Sequence, residues 1–403
     1  MRLNVHSFTF RLYLGLMASL GVMVTMAAVP ALPSMTLYFN CPPALCGWTI
    51  TSAMLGAVLC QFFWGPFSDR YNRKLALYLG CLLAAASSFL CYLSPNIEAI
   101  LIGRFFQGFS SGAGFIVVRA ICRDIYDGVQ LSRVLAFVLT VIPVVAGVTP
   151  SVSDLIVQYW GWQAPFLLLT VVVLIFFGAT PIFLSSLNFS KRPTYFKESM
   201  GSIFLFFKDK ATVLLVVVSS LLYMCFFLFI PSSPWIFLGS FNLQTPVLSI
   251  ALCAFPLGTF FGGMFQSTWG WRYDDFQVSF WCYIIALMSL WFNLLFLYLY
   301  FSPLFYVGFM MFFGGSMSAF NSICMAFVMK RHSAAYSGNL SSFIGVGQTL
   351  GSATGSVLAS YIGSPFSMIS WILLLAIISF FLYLIAARYL EGYTSLRLRF
   401  GIH

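Results

Sequence analysis

Charge is what this sequence has least of. Only 7% of its 403 residues are charged, and ten are acidic. Ordinary globular chains carry about 25% charged residues and about 45–50% apolar ones. Here the apolar share is 61% and the mean hydropathy +0.95. A soluble fold has no interior for so much apolar surface and no polar shell to cover it. That excludes a soluble enzyme, a secreted disulfide scaffold, a disordered regulator and a coiled coil. The apolar runs do not alternate, which excludes an outer-membrane barrel. Histidine is scarce too: His6, His332 and His403 sit at the edges of apolar runs and form no relay. No Cys or His cluster has metal-ligand spacing, so no metal site is expected. No Gly-x-x-x-x-Gly-Lys-Ser/Thr loop occurs, and no cofactor is expected. Gly345, Gly347 and Gly351 imitate a dinucleotide loop, but they lie mid-run with no strand before them. Small residues at that spacing read as close helix packing. No paired acids or nucleophile–base set lies inside the apolar runs, so an enzyme is not expected.

The chain does have long apolar runs. A helix needs about 20 such residues to cross a bilayer. Spans are expected at 12–37, 47–66, 75–94, 98–119, 133–157, 164–185, 211–238, 247–268, 276–300, 304–328, 338–362 and 366–387. The expected fold is all-α and integral to the membrane, with twelve spans. The run after Arg2 and Arg11 is too long for the apolar core of a signal peptide. Residues 188–210 hold five basic residues and divide the chain into halves at 1–187 and 211–403. With the N-terminus placed inside, nineteen of the twenty basic residues fall on one side. The twentieth, Arg104, is within a span. Basic loops stay cytoplasmic, so both termini are expected there. The net charge of +10 then serves topology and the lipid surface, and no nucleic acid partner is expected.

Most of the ten cysteines fall within spans, where Cys behaves as a small hydrophobe. Cys41 and Cys46 differ, because both fall in the first loop on the far side from the basic residues. An oxidising compartment pairs such thiols; elsewhere they remain free.

Between spans 2 and 3 stands Gly65-Pro66-Phe67-Ser68-Asp69-Arg70-Tyr71-Asn72-Arg73-Lys74. Gly-Pro is read as a helix break, followed by one acid and three bases in a tight hairpin. A carboxylate there meets the positive N-terminus of a neighbouring helix or a base on another span, and so acts as a latch. The run resembles motif A of the major facilitator superfamily, with Gly65, Asp69, Arg70, Arg73 and Lys74 on the motif's positions. Asn72 stands where the family usually has a second Gly, and the left-handed turn is expected to be kept by Asn. Arg104 in Leu101-Ile-Gly-Arg104-Phe-Phe-Gln107-Gly108 resembles motif B. A mid-span guanidinium costs about 2.5–3.5 kcal/mol to insert, so it faces the interior or a wet cavity. Gln107 shares its face. The bland alternative is an Arg that bridges span-end carbonyls. Arg119, Arg123 and Asp124 resemble the Arg-Ala-x-x-Arg-Asp run of the Bcr/CflA drug-efflux branch, and Arg119 or Arg123 is the expected partner of Asp69.

Weaker matches to that branch are Val29-Pro30-Ala31-Leu32-Pro33 in span 1, Thr51, Gly56 and Gln61 in span 2, Trp162 with Phe166, Ser233-Pro234-Trp235, and Ser341, Gly345, Gln348 and Gly351 in span 11. The resemblance implies two pseudo-symmetric six-helix bundles, alternating access, a monomer in the inner membrane and export of small lipophilic compounds against protons. It places Met23, Met26, Gln61, Tyr223 and Phe227 along the substrate cavity. Many members carry an acid in span 1, and here Met26 takes its place. Asp154 is the one acid placed within a span, near the outer end of span 5. Pro143, Gly147 and Pro150 before it resemble a degraded motif C. Asp154 as proton carrier, coupling through Arg104 and substrate charge, and uniport all remain open. So do a dedicated metabolite exporter or importer, such as one for a siderophore, and a transport-dead sensor.

Overall fold

The computed structural model describes residues 7–185, 187, 206–268, 274–332 and 337–389. Arg2, Lys191, Arg192, Lys197, Arg272, Arg397 and Arg399 lie outside the described residues, as does most of the 188–210 segment. Among the described residues there are helices and no strand. They are α1 (Phe8–Ala18), α2 (Leu20–Ala28), α3 (Leu32–Phe39), α4 (Pro43–Arg70), α5 (Arg73–Tyr92), α6 (Ile97–Ile125), α7 (Gly128–Trp160) and α8 (Ala164–Leu184). There follow α9 (Lys210–Pro234), continued by a π turn over Trp235–Ser240, and α10 (Thr245–Thr268), α11 (Asp275–Tyr300), α12 (Pro303–Arg331), α13 (Ser337–Ala359) and α14 (Pro365–Ala387).

Ten of these helices are long and apolar enough to cross a membrane, and the bent pair α1 and α2 adds an eleventh. Span 1 departs from the expected single helix over 12–37. It starts at Phe8, bends by 51° at Ser19 and breaks again before Leu32. Ser19 Oγ donates back to Gly15 O at 2.7 Å, and such back-bonding bends helices. Pro30 has no N–H to give, and Pro33 suits only the first turn of a helix. The one remaining expected span corresponds to α13, which is long enough but more polar than the others. Its 23 residues reach about 35 Å at 1.5 Å per residue. Glycine, serine and threonine lower its hydropathy and let its backbone close on α9, where a Cβ on Gly351 or Gly355 would overlap the carbonyl oxygens of Ser220 and Met224. Lipid supplies no hydrophobic drive between helices, so close packing of this kind holds them together.

Two further expectations are corrected. Helix α4 runs through Gly65-Pro66 and stops only at Arg70. Pro66 lies near the helix end, so the loss of its N–H removes one hydrogen bond and breaks nothing. Helix α6 extends to Ile125 rather than 119, so Arg119, Arg123 and Asp124 ride its last turns instead of a loop.

The helices form two compact units, Met1–Ser199 with Thr245–Ile250 and Met200–Gln244 with Ala251–His403. In the first, α4 packs on α6, and both α6 and α8 pack on α5. A Cβ on Gly108 would overlap Ala53 O, which shows how closely α4 and α6 approach. Phe10, Leu14, Trp64, Leu77, Val117 and Ile121 lie in its core. In the second, α9 packs on α13 and α14, and α11 on α12.

Candidate functional site

The motif A hairpin is built by its turn. Asn72 is extended, with φ −176° and ψ 142°, not left-handed as expected. It is the N-cap of α5, and its side-chain oxygen accepts from Lys74 N at 2.8 Å. An N-cap needs extended backbone and a short polar side chain, which Asn supplies. The chain therefore reverses at Tyr71-Asn72 and returns Arg73 against the end of α4. Arg73 is 5% exposed. Its Nη1 donates to Ser68 Oγ at 2.7 Å and to Asp69 Oδ1, and its Nε donates to Asp124 Oδ2 at 3.0 Å. So the partner of Asp69 is Arg73, four residues on, not Arg119 or Arg123. Arg73 reaches Asp69 first because the cap points it back, and its second edge is left for Asp124 on α6. Lys74 Nζ donates to Ser185 O at 3.0 Å, at the end of α8. Arg70 lies over the ring of Tyr71 at 5.5 Å, and Arg119 over Phe115 at 4.0 Å. A Cβ on Gly65 would meet only Ile116, in ordinary contact at 3.9 Å.

Arg104 is fully buried in the first unit. Its Nη1 donates to Val24 O at 2.7 Å and to Gln107 Oε1 at 3.0 Å, and its Nε donates to Thr49 O at 3.2 Å. Gln107 passes the chain on through Nε2 to Ser88 Oγ at 2.7 Å. One guanidinium thus ties spans 1, 2 and 4 together and reaches span 3. The bridging of carbonyls, set out above as the bland alternative, is what the geometry contains. Arg104 also sits near the C-terminal end of α2, where a cation is favoured. Its Nη2 finds no hydrogen-bond partner among the described residues.

The same broken end of α2 is held a second time. Ser153 Oγ on α7 donates to Ala27 O. The next residue, Asp154, is 2% exposed, so it is no solvated loop carboxylate. Its Oδ2 accepts from Gln158 Nε2 at 2.9 Å, one turn on. No basic side chain pairs with it among the described residues. Pro143, Gly147 and Pro150 all lie inside α7, which passes them without a break. Met26 is buried on α2, and Met23 and Gln61 are half-buried in the same unit. Tyr223 is half-buried and Phe227 buried, both on α9 of the second unit.

Sequence reasoning missed the polar centres of the second unit. Asp209, the N-cap of α9, takes both Arg331 Nε at 2.9 Å and Nη2 at 3.1 Å, while Arg331 Nη1 reaches Tyr389 O at 3.1 Å. Burial alone pushes the Asp209 carboxyl up, but the hydrogen bonds from Arg331 and Thr212 outweigh it and hold it at about 2. Deeper, Ser219 donates to Asn321 Oδ1 at 2.7 Å and accepts from Gln348 Nε2 at 2.8 Å. Asp209 and Arg331, Ser219 and Asn321, and Ser219 and Gln348 are each over a hundred residues apart, and only the capping position of Asp209 before an apolar run was visible locally.

The profile of the Major Facilitator Superfamily matches residues 14–348. The chain belongs to this family. It is 28% identical over 169 residues to a bicyclomycin resistance protein homolog of Haemophilus influenzae, covering 42% of each chain. It is 24% identical over 161 residues to multidrug resistance protein D of Escherichia coli, covering 40% of this chain and 41% of that one. It therefore spans well under two thirds of the length of these curated relatives. Among solved structures, a D-xylose-proton symporter superposes with a TM-score of 0.74 at 14% identity, over 94% of this chain and 98% of that one. At that identity the likeness shows the fold alone. The protein is thus a multi-pass membrane protein with the major facilitator fold, and its relatives include proteins named for resistance to bicyclomycin and to multiple drugs.

Proposed function

We propose that this transporter exports small lipophilic, drug-like compounds across the inner membrane by alternating access, in exchange for protons. In this reading residues 1–187 and 211–403 are the two halves, joined by 188–210, with both termini in the cytoplasm and the chain acting as a monomer. The relatives' resistance to drugs supports the substrate class. The observation that carries the coupling is Asp154, a buried carboxyl beside the residue that holds the broken end of α2. Coupling consists of loading a proton there when the surroundings are dry and releasing it when they are wetted. Met26, which replaces the usual span-1 acid, leaves this duty to α7. One charge moved through 100 mV yields about 2.3 kcal/mol. That sustains a gradient of roughly 50-fold, because 1.4 kcal/mol is about tenfold.

The test is uptake and efflux in proteoliposomes with an imposed pH gradient and a panel of lipophilic compounds. The wild type drives export with the gradient, and Asp154→Asn loses that dependence while still equilibrating substrate. Gradient-driven export that survives in Asp154→Asn removes the assigned acid. Transport by the wild type that ignores the gradient removes antiport and leaves facilitated diffusion.

A further inference from the structure

Between α3 and α4 the chain makes a tight turn. Asn40 takes a left-handed conformation at φ 45°, and Cys41 N donates to Thr36 O at 3.3 Å. At the other side, Cys46 N donates to Pro42 O at 3.4 Å in the first turn of α4. These backbone bonds bring the Cys41 and Cys46 thiols together with Sγ atoms 3.2 Å apart. Cys46 is fully buried, whereas Cys41 is half-exposed at the turn. A disulfide needs about 2.05 Å between sulfurs. The remaining gap of about 1 Å closes by rotation of the Cys41 side chain, which lies outside both helices.

We propose that Cys41 and Cys46 are a redox pair that closes into a disulfide by exchange with a disulfide-carrying thiol oxidant on the outer face of the membrane. The outer placement rests on the orientation given under the proposed function. The exposed Cys41 loses its proton, and its thiolate attacks one sulfur of the oxidant's disulfide. That S–S bond breaks, and one oxidant sulfur leaves as a thiolate. The Cys46 thiolate then attacks Cys41 Sγ and expels the second oxidant sulfur. The protein gains one S–S bond, and its two thiol protons end on the two reduced sulfurs of the oxidant. Two electrons pass from the protein to the oxidant. The bond clips the outer end of span 1 to the start of span 2. Span 1 is the element that is broken twice and leans on Arg104 and Ser153. A clip at its outer end adds a covalent tie to α3, which is otherwise held by the rings of Tyr38 and Phe39 against Trp162.

The test traps thiols in intact cells with acid and an alkylating reagent, then maps the peptide carrying residues 41–46 by mass spectrometry. The expected peptide is lighter than the dithiol form by two hydrogens, carries no alkyl group, and gains two alkyl groups after dithiothreitol. Cys41→Ser and Cys46→Ala each abolish the bridged form, and Cys41→Ser leaves the buried core contacts of Cys46 in place. A second arm exposes the purified, reduced, full-length protein to oxidised glutathione. Thiols that stay free both in cells and with oxidised glutathione overturn the pair. Pairing with oxidised glutathione but not in cells upholds the pair and overturns the outward orientation, so the two failures are told apart.

Discussion

A guanidinium inside a bilayer is stable when its N–H groups are met, and Arg104 meets most of its own with carbonyl oxygens and one amide. Among the described residues no carboxylate pairs with it, so its role is to hold helix ends as much as to carry charge. The position was readable from the sequence because a lone Arg stands in a long apolar run, and Gln107 was readable as its neighbour from the three-residue spacing. The carbonyls of Val24 and Thr49 were not readable, because they lie 80 and 55 residues away. The same distinction explains the hairpin. Its acid and bases were legible, but the side chain that Asp69 selects depended on Asn72 being a helix cap. Arg104→Leu is expected to remove three charge-assisted hydrogen bonds, to Val24 O, Thr49 O and Gln107 Oε1, at about 1.5–3 kcal/mol each. Thermal unfolding in detergent should fall by several degrees, with transport lost. Arg104→Lys keeps the charge but not the fork, so its unfolding temperature should lie between the two. A leucine variant as stable as the wild type would show that these bonds do not hold the bundle.

At the scale of helices, small residues decide more than apolar ones. Span 11, expected at 338–362, is a continuous helix over Ser337–Ala359, yet it is the one long helix whose hydropathy falls below that of the other spans. Its glycines explain this. Gly351 and Gly355 let α13 touch the backbone of α9, whereas Gly178 in α8 has nothing within 4 Å of where a Cβ would stand. The two sites predict opposite signs for one chemical change. Gly351→Ala forces a methyl into Ser220 O and should lower the unfolding temperature markedly, as overpacking costs about 1–3 kcal/mol. Gly178→Ala has room and removes helix-breaking freedom, so it should raise stability by up to about 1 kcal/mol. Parallel thermal denaturation of the two variants measures this. A neutral Gly351→Ala would mean that α9 and α13 are not in backbone contact. What the sequence hid at this scale was the bend in span 1, since its apolar run continues smoothly through Ser19 and only the back-bonded hydroxyl and the later prolines redirect it.

For the whole molecule, the strongest statement in the sequence is an asymmetry of charge rather than any motif. The turns at Leu93–Asn96, Gly161–Gln163, Phe301–Ser302 and Ser360–Ser364 contain no Lys or Arg. The turns at Tyr71-Asn72, Tyr126-Asp127 and His332 lie among Arg70, Arg73, Lys74, Arg119, Arg123, Arg133 and Arg331. Basic residues are held back in the cytoplasm during insertion, so the proposed topology assigns the two sets to opposite sides of the membrane. The helices support the alternation by their own lengths, because each of α4 to α8 crosses once and reverses in a short turn. Alkaline phosphatase, which is active only outside the cytoplasm, should therefore be active when fused after Asn96, Gln163 or Ser302. It should be silent when fused after Asn72, Asp127 or His332. Green fluorescent protein should give the reverse pattern at every point. The proposed topology also sets which reagents reach Cys41, because it assigns the first turn to the side without basic residues. Phosphatase activity after Asn72 would invert the chain and remove export as the direction of transport. It would also turn the Arg73 network outward, where the basic hairpin has no anionic cytoplasmic leaflet to meet.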